Sequence, residues 1–105
     1  MNERPIEAAE PDSGEALTLR QVCAILELRT EVVCEWVYEG VVHPTGPRVD
    51  QWRFPPQELE RARRARRLQR DLAVNTESLP LVLDLLGEVE RLRRRVRVLE
   101  SRFFE

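Results

Sequence analysis

Seven apolar residues near the end of the chain, Val82, Leu85, Val89, Leu92, Val96, Leu99 and Phe103, recur at alternating intervals of three and four. That period sets all seven along one side of an α-helix and scatters them over both faces of a strand. An apolar stripe of this length needs a second helix against it. Val at the a positions and Leu at d suit a two-stranded pairing, so residues 75–105 are expected to form a C-terminal coiled-coil dimerisation helix. In a parallel pair Glu88 would face Arg93, and Arg95 would face Glu100. Those exposed pairs add only about a few tenths of a kcal/mol each, too little to choose a direction. The sequence thus predicts a homodimer and leaves parallel and antiparallel arrangements open.

Upstream the pattern is shorter-ranged. Residues 1–16, "MNERPIEAAEPDSGEA", combine acid, Pro, Gly and Ser with no apolar period and are expected to form a disordered acidic tail. Thr18 followed by Gln21 is a capping-box pattern, and Leu19, Val22, Cys23, Ile25 and Leu26 then repeat at helical spacing. After "RT", with Thr30 as the expected N-cap, Val33, Trp36 and Val37 form the packing face of a second helix. Gly40 is placed to end it in the left-handed conformation. Two short helices joined this tightly make a helix-turn-helix.

"VVHPTGPRVDQWRF" changes period, with a turn cluster at Pro44–Pro47 and Trp52 and Phe54 on one side of an extended segment. The expectation is a small two-stranded β wing. Pro55 and Pro56 start a third helix, in which Leu59, Ala62, Ala65, Leu68 and Leu72 pack and Arg61, Arg63, Arg64, Arg66, Arg67 and Arg70 occupy the other faces. Asn75 is the expected cap of the fourth helix. Residues 17–74 are thereby read as one winged helix-turn-helix domain with a basic third helix. The fold class is mainly α.

The charge is unevenly spread. Residues 1–46 hold three Arg against nine acidic residues, and residues 47–105 hold fourteen Arg against ten. All seventeen basic residues are Arg, which fits a GC-rich coding bias. No apolar run is long enough to span a membrane. The acidic N-terminus has no signal-like apolar core, and Cys23 and Cys34 form no CxxC pair, so a reducing cytoplasm is the expected location. Cys23, Cys34 and His43 lack the close spacing of metal ligands, and no metal or other cofactor is expected. One His, no Gly-rich phosphate loop and no nucleophile beside a base argue against an enzyme.

Helix-turn-helix, wing, basic helix and coiled-coil tail, in that order, resemble the MerR architecture. "LTLRQVCAILELRTEVVCEWVYEGVVHP" is similar to its helix-turn-helix, and "QWRFPPQELERA" to the end of its wing and the helix that follows. The short length and "RLQRDLAVNTESLPLVLDLLGEVERLRRRVRVLE" narrow the resemblance to the CbpM family of chaperone modulators, over roughly residues 17–104. The resemblance implies a partner, the J-domain of a CbpA-type DnaJ-like co-chaperone, and an inhibitory role. It also implies a dimer, which in MerR relatives is antiparallel.

DNA readers place Arg, Lys, Asn or Gln in the groove against dense phosphate charge. Here Glu31, Glu35 and Glu39 stand in the reading helix, with Tyr38 beside them and no basic residue between 30 and 40. Glu31, Glu35, Tyr38 and Glu39 are therefore the candidate partner-binding residues, suited to a basic protein surface. The alternative is a MerR-type DNA-binding transcription regulator, gripping phosphate through Arg48, Arg53 and Arg64. Backbone contacts of that kind position a protein without specifying a sequence.

Overall fold

The computed structural model describes residues 15–104. The tail expected over residues 1–16 falls almost wholly outside them; Glu15 and Ala16 are exposed and without regular structure. Four α-helices follow: α1 (Leu19–Leu26), α2 (Thr30–Tyr38), α3 (Pro56–Leu72) and α4 (Leu79–Phe103). Single 3-10 turns lie at Val49–Gln51 and Thr76–Ser78. α1 packs on α2 and α3, and α3 on the start of α4.

The helix ends follow local chemistry. Thr18 accepts from the Gln21 amide at 3.2 Å while the Gln21 side chain accepts from the Thr18 amide at 2.9 Å, completing the capping box. α2 ends in a Schellman motif: the Gly40 amide donates to the Val37 carbonyl at 3.1 Å and the Val41 amide to that of Trp36 at 2.8 Å. Gly40 has φ of 81°, the left-handed conformation this motif needs. Thr30 is not the N-cap of α2. Arg29, in an extended conformation, takes that place without a side-chain cap, and its carbonyl accepts from Val32 and Val33. Asn75 accepts from the Ser78 amide at 2.8 Å, so it caps the 3-10 turn that leads into α4, not α4 itself.

α1 and α3 end on non-glycine residues at positive φ, Glu27 at 57° and Ala73 at 55°. A Cβ in this region is crowded by the following carbonyl. Replacing Ala73 with Gly relieves that crowding but loosens the unfolded chain, so Ala73→Gly is expected to raise stability by a net of about 0.5 kcal/mol, measured as a shift in the urea midpoint at unchanged slope.

The core runs from Leu17 to Leu83 and so joins the start of the described chain to the first turns of α4. Leu17, Val22, Leu26, Val33, Trp36, Val41, Val42, Phe54, Leu59, Ala62, Ala65, Leu79 and Leu83 are all buried. Trp36 is 1% exposed, which assigns it to the core and not to a binding face. Leu72 departs from expectation at 69% exposure. Leu72 is the last residue of α3, where the chain leaves the helix at Ala73, and Leu68 and Val74 pack against the core on either side of it.

The β wing is not formed: among the described residues there is no strand, only two isolated bridges, Leu17 with Phe54 and Thr45 with Arg53. Three causes are visible. Pro44 and Pro47 lack amide donors on either side of Thr45. The chain then curls into the Val49–Gln51 turn, where Gly46, at φ of 107°, leaves no room for a Cβ against the Gln51 carbonyl. Finally Phe54 exchanges both backbone hydrogen bonds with Leu17, at 2.7 and 2.9 Å, and not with the Val41–Val42 segment. The expected side-by-side Trp52 and Phe54 are present, their rings edge to face at 6.2 Å.

Candidate partner-binding face

α2 presents two unlike sides. Val33 and Trp36 are buried against the core, while Glu31, Glu35, Tyr38 and Glu39 are all exposed, Tyr38 by 88%. Residues 31, 35 and 38 lie one turn apart along a single stripe, and Glu39 flanks it. Cys34 is half-buried beside this stripe. No ion pair among the described residues involves Glu31, Glu35 or Glu39, whereas Asp50, Glu60, Asp71, Asp84, Glu88 and Glu90 each have an arginine partner. Glu31, in the first turn, gains from the positive end of the helix dipole.

Cys23 and His43 have local explanations. Burial pushes the Cys23 thiol above the ordinary cysteine range, opposed by its contact with the Thr30 hydroxyl at 4.0 Å and reinforced by the nearby Cys34 and Glu31. The His43 amide donates to Glu58 at 2.8 Å, and the imidazole Nδ1 lies 3.6 Å from the same carboxylate. Among the described residues no group of His, Cys, Asp and Glu is arranged to hold a metal ion. Among those residues no helix is long and apolar enough to cross a membrane.

Two of the arginines of α3 reach across to neighbouring segments. Arg61 donates from Nε to the Val41 carbonyl at 2.5 Å and pairs with Asp84 of α4 at 3.0 Å. Arg64 is hydrogen-bonded to Glu90. These two residues clamp the end of α2, α3 and α4 together. Of the residues expected to grip phosphate in the DNA-binding alternative, Arg64 is thus engaged inside the molecule. Arg48 is exposed and 3.5 Å from Asp50, and Arg53 is exposed with its guanidinium donating to the Trp52 carbonyl at 2.8 Å. The three do not share one partner or one helix.

Sequence reasoning missed the clamp, although half of its signal was there. Leu79, Leu83, Leu86 and Glu90 recur at intervals of four, three and four, a second stripe about a third of a turn from the heptad seam. Leu79 and Leu83 are buried, and Glu90 meets Arg64 where that stripe leaves the core. The Arg64 hydrogen bond holds the Glu90 carboxyl below the usual carboxylate range, opposed by desolvation and helped by the charges of Arg64, Arg94 and Arg93. Because this folded-state pKa is depressed, the stabilisation is present above the unfolded value and disappears as pH falls through the folded one. Acidification below about pH 4 is expected to loosen α4 from α3, seen as earlier amide exchange around Leu83 and Glu90 than around Trp36.

The heptad residues form the second candidate face. Val82 is half-buried at its start; Leu85, Val89, Leu92, Val96, Leu99 and Phe103 are between 42% and 83% exposed. Glu88, at the edge of the seam, is hydrogen-bonded to Arg91 of its own helix.

This arrangement matches the description MerR HTH family regulatory protein over residues 17–101. The chain is 35% identical over 86 residues to the chaperone modulatory protein CbpM of Pseudomonas putida, an alignment covering 82% of this chain and 85% of that one. It is 33% identical over 84 residues to the chaperone modulatory protein CbpM of Coxiella burnetii, covering 80% and 79%. Matched by these relatives over four-fifths of its length, the chain belongs to the CbpM family within the MerR helix-turn-helix group.

Proposed function

We propose that this protein is a non-enzymatic chaperone modulator that binds the J-domain of a CbpA-type DnaJ-like co-chaperone and holds back its activity. The observation that carries this reading is the unpaired acidic stripe of α2: Glu31, Glu35 and Glu39 meet no cation among the described residues, and Tyr38 stands exposed beside them. Unpaired carboxylates beside an aromatic side chain suit a basic protein surface with an apolar contact at its centre. They repel a phosphate backbone, and the arginine of α3 that would grip DNA, Arg64, is already bound to Glu90. The names of the relatives support modulation of a chaperone as the biological setting. The J-domain is the basic partner this reading assigns within that setting.

In this reading the protein acts as a homodimer, joined through Val82, Leu85, Val89, Leu92, Val96, Leu99 and Phe103 in the cytoplasm. The seam lies about a third of a turn away from the stripe that anchors α4, so pairing leaves the α1–α3 unit and its acidic stripe free.

The test is calorimetric titration of the protein with an isolated J-domain. Saturable binding that weakens by about tenfold or more as salt rises from about 0.05 to 0.5 M is the expected result. Absence of heat and of co-migration at both salts removes this partner from consideration.

A further inference from the structure

Independently of that reading, the structure holds a groove lined by no residue of α2. It runs between the first turn of α1 and the loop before α3 and encloses about 730 Å³. Leu19, Val49 and Trp52 form its apolar floor; Val49 is 48% exposed, and Leu19 and Trp52 are half-buried. Arg20, Arg48 and Arg53, all exposed, stand around it with one carboxylate, Asp50. Arg20 forms no ion pair with another described residue, and the Arg48 contact with Asp50 is exposed on both sides and so readily exchanged in water. An apolar floor under three cations suits an acidic segment that carries an aliphatic side chain.

We propose that this groove docks the chain's own acidic N-terminal segment, residues 1–14. That segment contains Glu3, Glu7, Glu10 and Asp12 against a single Arg4, and an aliphatic Ile6 next to Pro5. Its charge is the complement of the rim, and Ile6 is the complement of the floor. Proximity favours it over any acidic segment in free solution. The groove begins at Thr18, immediately after Leu17, whose pairing with Phe54 anchors the end of the segment. Tethering at this separation provides an effective concentration of about millimolar, and fourteen extended residues reach at most about 50 Å. The Leu17–Phe54 bridge is antiparallel, so the chain ahead of it runs toward Pro55 and must reverse to meet Arg53 and Arg48. "PDSG", residues 11–14, has the Pro, Asp, Ser and Gly composition of a turn at the point where the reversal is needed. Docked there, the segment covers Arg48 and Arg53 and keeps other polyanions from them.

Tryptophan fluorescence reads this contact directly, because Trp36 is buried and Trp52 lies in the groove. In the full-length protein, acrylamide should quench Trp52 about twofold more strongly after Glu3→Gln, Glu7→Gln, Glu10→Gln and Asp12→Asn are combined, at about 0.01 M ionic strength where the screening length is about 30 Å. Wild type should reach the same accessibility at about 1 M, where that length is about 3 Å. Trp52→Phe supplies the Trp36 baseline, and Arg20→Gln with Arg48→Gln should expose Trp52 as the tail changes do. Equal quenching of wild type and the tail-neutralised chain at low salt overturns the proposal. Protection of Trp52 that grows with protein concentration also overturns it, since a second copy would then fill the groove.

Discussion

Reversing Glu31 and Glu35 together to arginine is expected to weaken J-domain binding by about thirtyfold at low salt, or about 2 kcal/mol. Each reversal removes one attraction and adds one repulsion. Four charge terms of about 0.5 kcal/mol each, the size of an exposed pair, give that sum. Most of the loss should fall on the association rate, because exposed charges steer encounter more than they hold a complex. At about 1 M salt the double variant and wild type should converge. Glu31 also interacts with the α2 dipole, so the reversal there costs about 0.3–1 kcal/mol of stability by itself. Glu35→Arg alone avoids that cost and should show about half the binding loss in free energy at an unchanged urea midpoint. Stopped-flow association and calorimetry check both. Unaltered low-salt affinity in a folded double variant would mean that the J-domain docks elsewhere. Tyr38→Ala should act on the dissociation rate, because it removes an apolar contact and no charge.

Placing acid in the middle of the seam is expected to have the larger effect on assembly. Leu92→Glu with Val96→Glu brings four carboxylates to the centre of a paired helix that in wild type is apolar. The apolar contacts are lost and unpaired charges must be desolvated, which together should raise the dimer dissociation constant by more than about a hundredfold. Leu92 and Val96 are each 50% exposed in the single chain, well beyond Leu79 and Leu83, which hold α4 to the core. The α1–α3 unit should therefore remain folded. Sedimentation would show a monomer, with near-ultraviolet dichroism from Trp36 retained and helicity falling only for the distal part of α4. A double variant that sediments as wild type does would place the seam outside the dimer contact.

Most of the helical architecture was legible because its signals are short-ranged. The Thr18–Gln21 capping box, the Gly40 terminus, the Pro55–Pro56 start and the burial of Val33 and Trp36 depend on residues within four or five positions of one another. The acidic stripe of α2 was legible for the same reason, and its exposure follows once Trp36 fixes the inner face. The wing was misread because a turn cluster between apolar residues predicts a reversal without saying which segment Phe54 will pair with. Leu72 was misread because helical periodicity continues up to the last residue of α3, while the left-handed turn at Ala73 that ends the helix there has no glycine to announce it.

The sequence by itself determined the number and order of the helices, the inner and outer sides of α2, and an apolar seam that no residue of its own helix can cover. These are properties of a chain's own period. Tertiary structure decided that Phe54 pairs with Leu17, that Leu79 and Leu83 bind α4 to the core, and that Arg61 and Arg64 are held by Asp84 and Glu90. Those partners lie twenty or more residues apart. Six arginines along one helix look alike in sequence, and only the path of the chain brings a carboxylate to some of them while, among the described residues, it brings no cation to the glutamates of α2.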